Sequence, residues 1–353
     1  MAKAKVKVGI VGYGMIGARC ADAITLQPDM ELVGVAARTA DYRIKSAYEK
    51  GYEIYASPAE RLDQMARSGI TLAGTIDDLL KEVDIVIDAT PAGVGAEMKP
   101  LYEKAGVKAI FQGGEKHELA GHSFVAQINY ETALGRQYTR VVSCNTTGIC
   151  RVAGSLFKAG LIDRVWIVIA RRATDPWKSH VKGIINTVVP ETRIPSHQGP
   201  DAQSVIPELP IVTIAAKGPY NVSHMHFAII KAPRKVTKEE VVTVLEKTRR
   251  VCFVDTADNL VDLNAVLELM KLLGRPMGDM WEVAVWRDIL ATNGDEIYLI
   301  YQVHNLAIVI PENIDAIRAL TELETNPEKS MDLTDKTLGI KGSFFSRLQQ
   351  PKT

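Results

Sequence analysis

The chain has 353 residues, long enough for two domains and a large buried core. Its 42 basic and 42 acidic residues cancel, which excludes a general attraction for nucleic acid or an anionic membrane and leaves little repulsion against self-association. No stretch reaches the roughly 18 apolar residues of a membrane span. The start at Met1 to Lys5 runs directly into a strand, with no signal peptide. Cys20, Cys144, Cys150 and Cys252 match neither a disulfide framework nor a zinc spacing. Together these features predict a reduced, cytoplasmic protein with no metal site.

In chain order, the β-branched run at residues 6–11 predicts a strand. Gly12-Tyr13-Gly14-Met15-Ile16-Gly17 follows, a G-x-G-x-x-G. A helix over residues 16–26 stopped by Pro28, and a strand over 31–36, complete a β-α-β unit. In that setting the motif predicts a Rossmann-type dinucleotide site. Gly12 gives the tight turn, Gly14 admits a pyrophosphate, and Gly17 lets helix and strand pack closely. The second strand ends Ala36-Ala37-Arg38-Thr39, with no carboxylate before Asp41 to bond a ribose 2′-hydroxyl. Arg38 and Thr39 can instead meet a 2′-phosphate, which leans towards NADP or acceptance of both NADP and NAD; a solvated loop arginine is the alternative. Residues 40–74 read as an insertion with a helix, held down by Tyr42, Tyr48, Tyr52 and Tyr55. Thr75 to Asp78 resembles a capping box. Strands at 84–88, 108–111 and up to Val142, alternating with helices, predict a mainly parallel sheet with helices on both faces. Loops at their carboxyl ends, including Gln112-Gly113-Gly114, are where cofactor contacts gather.

Val141-Val142-Ser143-Cys144-Asn145-Thr146-Thr147-Gly148 reads as a strand end running into the first turn of a helix. A cysteine there faces unpaired N–H groups and the positive end of the helix dipole, so its pKa is expected to fall. The alternative is a buried, inert cysteine. A thiolate together with a nicotinamide is the equipment for oxidising an aldehyde through a thioester. Residues 165–170 predict a strand running into Arg171-Arg172, whose guanidinium forks suit phosphate. The irregular stretch 173–210 contains Pro195-Ser196-His197-Gln198-Gly199, small and polar enough to line an anion pocket. His224-Met225-His226 lies in a strand with both histidines on one face, and one of them can serve Cys144 as base. Thr237 to Glu240 caps an amphipathic helix. Strands are expected at 297–301 and 306–310, then a helix with Pro311 in its first turn. From Ser343 a tail is expected, with Phe344 and Phe345 able to dock.

These stretches together resemble the archaeal-type (type II) glyceraldehyde-3-phosphate dehydrogenase family over nearly the whole chain. The resemblance rests on the G-x-G-x-x-G, Phe111 to Lys116, Ser143 to Thr147, Arg171 to Ala173, Pro195 to His197, His224 to Phe227 and Ile310 to Arg318. It implies a homotetramer, with Cys144 as nucleophile and His224 as general base. Met15, Ile16, Gly114, Arg172 and Asn305 would contact the cofactor. Ser143, Asn145, Thr146, Arg171, His197, Gln198 and Gly199 would surround glyceraldehyde 3-phosphate and inorganic phosphate. The implied domains are residues 1–143 with 311–353 for the cofactor, and an α+β catalytic domain, 144–310, with a mainly antiparallel sheet. Four positions depart from the family pattern. Met15 replaces a threonine, Gln198 a histidine and Asn305 a glutamine, and the basic residue expected at Ala37 sits at Arg38 instead. The implied reaction is a step of glycolysis or gluconeogenesis: thiohemiacetal, hydride transfer, then phosphorolysis to 1,3-bisphosphoglycerate. A semialdehyde or acyl-phosphate reductase is the alternative of like chemistry. A non-catalytic cofactor-sensing or nucleic-acid-binding protein is the alternative of another class.

Overall fold

A computed structural model describes residues 4–345; the expected tail and domain end over residues 346–353 lie outside the described residues. The chain divides into two compact units, Met1–Ser143 with Ile310–Gly339, and Cys144–Val309 with Ile340–Thr353. The return to the first unit is therefore shorter than expected. It stops at Gly339 because the next residues bond within the second unit: Lys341 N–H donates to Glu282 Oε1 at 3.1 Å, and Cys252 Sγ to Lys341 O at 2.9 Å. Phe344 docks beside Trp286 and Met270, while Phe345 stays exposed.

The first unit is a sheet of eight strands among the described residues: β1 (Val6–Val11), β2 (Met30–Ala37), β3 (Ile54–Ala56), β4 (Gly74–Thr75), β5 (Ile85–Asp88), β6 (Lys108–Gln112), β7 (Ser123–Phe124) and β8 (Tyr138–Val141). Their order is β4-β3-β2-β1-β5-β6-β8-β7, and every pairing is parallel. In fully buried β5 both faces are covered, and the strand reads as the apolar run Ile85-Val86-Ile87 before Asp88. The expected insertion at 40–74 extends this sheet through β3 and β4. Tyr55 enters the core and Tyr52 OH reaches Asp22 at 2.7 Å, whereas Tyr42 and Tyr48 are exposed. Thr75 and Asp78 form the expected capping box.

The second unit holds β9 (Arg164–Arg172), β10 (Val189–Pro190), β11 (Ile211–Gly218), β12 (His224–Lys231), β13 (Val251–Val254), β14 (Val283–Trp286), β15 (Ala291–Asn293) and β16 (Glu296–Val303). The strand order is β10-β11-β9-β12-β16-β14-β13, with β15 on β16. The expectation of a mainly antiparallel sheet is corrected to a mixed one. β11 runs parallel to β9 and β14 parallel to β13, because helix-containing crossovers join each of these pairs. One sheet face carries the buried side chains of β9, β12 and β16 and packs on the Cys144–Lys158 helix. Gly148 makes that contact possible: a Cβ there would lie 2.5 Å from Val303 Cγ2. The strand expected at 306–310 is a buried turn. The His304 carbonyl accepts from Ala307 and Ile308, and buried Arg151 donates to Ile308 O at 3.0 Å. Among the described residues no helix is long and apolar enough to cross a membrane.

Candidate active site

In the first unit the carboxyl ends of β1, β5 and β6 bring their loops together. Gly12 has φ +89°, and a Cβ there would meet the Ala89 carbonyl and Thr90 N at 3.0 Å. Gly114 packs on Ala92. The helices that follow β1 and β5 start at this edge. The Val94–Ala105 helix already has an anion at its start, since Glu115 Oε1 accepts from Gly93 and Gly95 N–H at 2.8 and 3.0 Å. The Met15–Thr25 helix has no side-chain cap and no acid in its first turn. A Cβ on Gly14 would meet nothing within 4 Å, whereas one on Gly17 would lie 2.0 Å from Gly12 O. This open N-terminus, with Met15 and Ile16 partly exposed in it, fits a pyrophosphate. Arg38 and Thr39 follow β2 as exposed side chains. The Asp41 carboxylate is held by Arg43 and caps the next helix.

In the second unit Cys144 opens the Cys144–Lys158 helix. It is partly exposed, whereas Cys20, Cys150 and Cys252 are buried. Its Sγ lies 3.4 Å from His224 Nε2. The expected fall in the thiol pKa is reversed. Burial pushes it up, outweighing Arg172, Arg171 and the backbone N–H groups of Asn145 and Cys144, which pull it down. The His224 pKa lies well below its ordinary value, through burial first and then through Arg172, His226, Arg171 and His304. The Arg172 backbone N–H donates to His224 Nδ1 at 3.1 Å. A backbone N–H can only donate, so the neutral ring carries its proton on Nε2, facing the sulfur. In this tautomer Nε2 has no lone pair to accept a proton. The general base expected from the sequence therefore stands as a donor to the thiolate.

Asn145 is buried, and its Oδ1 lies 2.9 Å from His226 Nε2; His226 Nδ1 lies 3.0 Å from Tyr301 OH. Asn305 Oδ1 accepts from Ser223 N–H at 2.7 Å, while its buried Nδ2 has no partner. That orphan donor fits a carboxamide-bearing cofactor. Arg171 pairs with Glu191, which also lies 3.3 Å from exposed His197, and Arg172 pairs with Asp175 at 2.8 Å. Gln198 is fully buried with neither amide atom bonded.

Two residues expected beside the substrate have partners within the protein. Thr146 is fully buried and donates to Asp201 Oδ2 at 2.6 Å, so it holds the Gln198–Gln203 helix. The Gly199 N–H is taken by Thr213 Oγ1 at 2.9 Å. Ser143 ends the first unit, partly exposed. Tyr301 and Asp201 were not anticipated. The only sequence signal for Tyr301 is the alternation of β16, which sets it on the buried face with Ile297, Leu299 and Val303.

Residues 143–288 match the model for the glyceraldehyde 3-phosphate dehydrogenase C-terminal domain, and residues 6–118 match that for the dihydrodipicolinate reductase N-terminus. The chain is 44% identical over 337 residues to the glyceraldehyde-3-phosphate dehydrogenase of Methanococcoides burtonii, spanning 95% of this chain and 99% of that protein. It is 46% identical over 338 residues to that of Hyperthermus butylicus, spanning 96% and 98%. It is 45% identical over 336 residues to that of Pyrococcus abyssi, spanning 95% and 99%. The chain belongs to the archaeal-type glyceraldehyde-3-phosphate dehydrogenase family. Among solved structures, aspartate semialdehyde dehydrogenase II from Vibrio cholerae shares the fold, with a TM-score of 0.65 at 14% identity, over 90% of this chain and 99% of that one. Of the residues noted as departing from the family pattern, Gln198 has both amide atoms, and Asn305 its Nδ2, buried without a partner.

Proposed function

We propose that this protein is a phosphorylating, NAD(P)-dependent glyceraldehyde-3-phosphate dehydrogenase working in glycolysis or gluconeogenesis. The observation that carries the reading is the contact of Cys144 Sγ with His224 Nε2 at the start of a helix, beside two arginines. The Cys144 thiolate, steadied by the His224 Nε2–H, attacks the aldehyde carbon. The new alkoxide is held by the same Nε2–H, by first-turn backbone N–H groups and by Asn145; losing one such donor typically costs about 100- to 1,000-fold in rate. Bound NAD(P) supplies the acceptor for the hydride that this adduct loses, leaving a thioester on Cys144. A phosphate oxygen then attacks the thioester carbon, and the Cys144 sulfur leaves as thiolate. The proton lost in each cycle is the one the attacking phosphate gives up as its oxygen bonds the thioester carbon, and Cys144 returns to the thiolate that began it.

Gly12, Gly14, Met15, Ile16, Gly17 and Gly114 are assigned to the cofactor, supported by the uncapped helix start. Arg172 and Asn305 carry the same assignment from the family resemblance, and the orphaned Asn305 amide supports it. Arg38 and Thr39 support NADP alongside NAD. Arg171, His197 and Gln198 are assigned to phosphate, which would exchange for Glu191 on Arg171. Ser143 keeps its assignment beside the substrate. Four free cysteines support a reducing, cytoplasmic setting. A homotetramer is supported by an exposed apolar sheet face in the second unit.

The test is reduction of NADP and of NAD with glyceraldehyde 3-phosphate, with and without phosphate or arsenate. Anion-dependent turnover is expected, with Cys144→Ser lowering it at least 1,000-fold on the scale of a lost nucleophile while cofactor binding is kept. Near-normal activity in Cys144→Ser would sink the thioester mechanism. Anion-independent turnover would mean that water, not phosphate, releases the product.

A further inference from the structure

His226 and Tyr301 sit opposite each other in the β12/β16 register, both fully buried, with ring centroids 4.7 Å apart. Neither is used by the reaction sketched above, yet their hydrogen bonds run to the residue that follows the nucleophile. The direction of that chain is fixed by counting protons. If Asn145 donated to His226 Nε2, the ring would carry its proton on Nδ1 and donate to Tyr301 OH. The Tyr301 proton would then be buried without its nitrogen acceptor, with only the weakly accepting sulfur of Cys150 acting on that ring. With the opposite polarity every proton is used. Tyr301 O–H donates to Nδ1, and Nε2–H donates to Asn145 Oδ1. Burial holds the His226 pKa down at about 3, so the ring stays neutral and keeps one donor and one acceptor. The Asn145 side chain is thereby anchored through its oxygen. Its Nδ2 group has no bond to any described residue and is adjacent in sequence to Cys144, whose sulfur faces the Asn145 backbone N–H.

We propose that His226 and Tyr301 are positioning residues that hold the Asn145 amide by its carbonyl oxygen and so present its NH2 group as a fixed donor to the oxygen of the Cys144 adduct. The role rests on the dehydrogenase reading, but the geometry of the relay does not. Asn145 touches the substrate oxygen; His226 and Tyr301 act only through Asn145. His226→Leu removes the anchor, and His226→Gln replaces it, because the glutamine amide can donate in place of Nε2 and accept in place of Nδ1.

In steady-state assays His226→Leu should lower kcat about 10- to 100-fold, below the loss expected for removing an oxyanion donor outright, with the KM for the aldehyde within about 3-fold. His226→Gln should recover most of that loss, and the isosteric Tyr301→Phe should give a smaller fall of the same kind. The rate of Cys144 alkylation by iodoacetamide should be unchanged in all three, since the relay does not touch the sulfur. Asn145→Ala with His226→Leu should be no slower than Asn145→Ala alone. Additive losses, or parallel falls in kcat and alkylation, would overturn the proposal in favour of a merely structural role. Ring 15N shifts read the relay without any turnover: protonated Nε2 and bare Nδ1 on His226 are expected, and a proton on Nδ1 overturns the relay. A protein that shows this tautomer but no activity towards glyceraldehyde 3-phosphate would count against the dehydrogenase reading, not against the anchoring of Asn145.

Discussion

At the residue scale, Cys144 shows a competition that its position in the sequence does not reveal. A helix start, two arginines and two backbone N–H groups all favour thiolate, yet burial of the sulfur outweighs them and the thiol pKa ends up raised. His224 is held neutral by burial and by the nearby arginines, so there is no imidazolium to form an ion pair with the sulfur. The sign of the pH dependence follows. Alkylation of Cys144 in the cofactor-free protein should rise close to tenfold per pH unit through neutrality and level off only above the ordinary thiol range near 8.5. It should show no separate step near pH 6.5, where an ordinary histidine titrates. Arg172→Gln should push the plateau to still higher pH by removing a charge that favours thiolate. A plateau reached below pH 7 would mean that a thiolate–imidazolium pair exists and that the donor role given to His224 is wrong.

At the scale of elements, the Ile310–Leu320 helix is buried along its whole length although it carries Glu312, Asp315 and Arg318. Each charge has partners within the first unit. Arg318 donates to both Asp29 oxygens at 2.8 and 2.9 Å, to Gln27 Oε1 at 2.7 Å and to Thr334 Oγ1 at 2.6 Å. Asp315 accepts from Ser330 and Thr334 on the Pro327–Leu338 helix, and Glu312 from Ala126 N–H. Removing one member of such a set strands the rest. Arg318→Met should therefore cost about 3–5 kcal/mol of stability, read as a lower urea midpoint at unchanged slope; a loss under about 1 kcal/mol would show that the network is solvated. The start of this helix is legible in Pro311, but its burial on every side is not, because the polar residues disguise it. The residues just before it show the limit of apolar pattern. Residues 306–310 look like a strand, and only the His304 carbonyl and Arg151 make them a turn. Strands β4 and β7, two residues each, are too short to carry any period. The candidate site divides in the same way. Cys144 and His224 are readable from a strand-to-helix junction and a period-two strand. The Asn145–His226–Tyr301 chain needs a cross-strand register that no local pattern encodes, and the pairing of Thr146 with Asp201 needs a contact 55 residues away.

At the scale of the whole molecule, the uncovered face of the second unit's sheet is the feature that bears on the proposed homotetramer. Register aligns two rows across four strands: Ile214, Val168, Phe227 and Ile300, and beside them Val212, Trp166, Ile229 and Tyr298. Six of these side chains are exposed, and Val212 and Ile300 are partly buried. The opposite face of the same strands is the one that packs on the Cys144–Lys158 helix; at the β16 end Ile300 packs against the cluster around Trp286 and Met270, and the six exposed side chains lie open to solvent. A contiguous apolar patch of this kind marks an interaction surface, and a net charge of zero sets no barrier to meeting a second copy. Val168 and Phe227 are cross-strand partners at the middle of the patch, where a charge would be buried against the partner without compensation. Val168→Glu should weaken association at least 100-fold, on the scale of a hot-spot loss, and shift the sedimenting species towards the 38.7 kDa chain. Thr292→Glu, on the short strand β15 outside these rows, should leave the species unchanged. If the unsubstituted protein already sediments as a single chain at micromolar concentration, the face has another role and the homotetramer reading fails. If Val168→Glu dissociates the assembly but keeps its thermal midpoint and its Cys144 alkylation rate, the patch serves assembly and not the fold of the unit that carries the nucleophile.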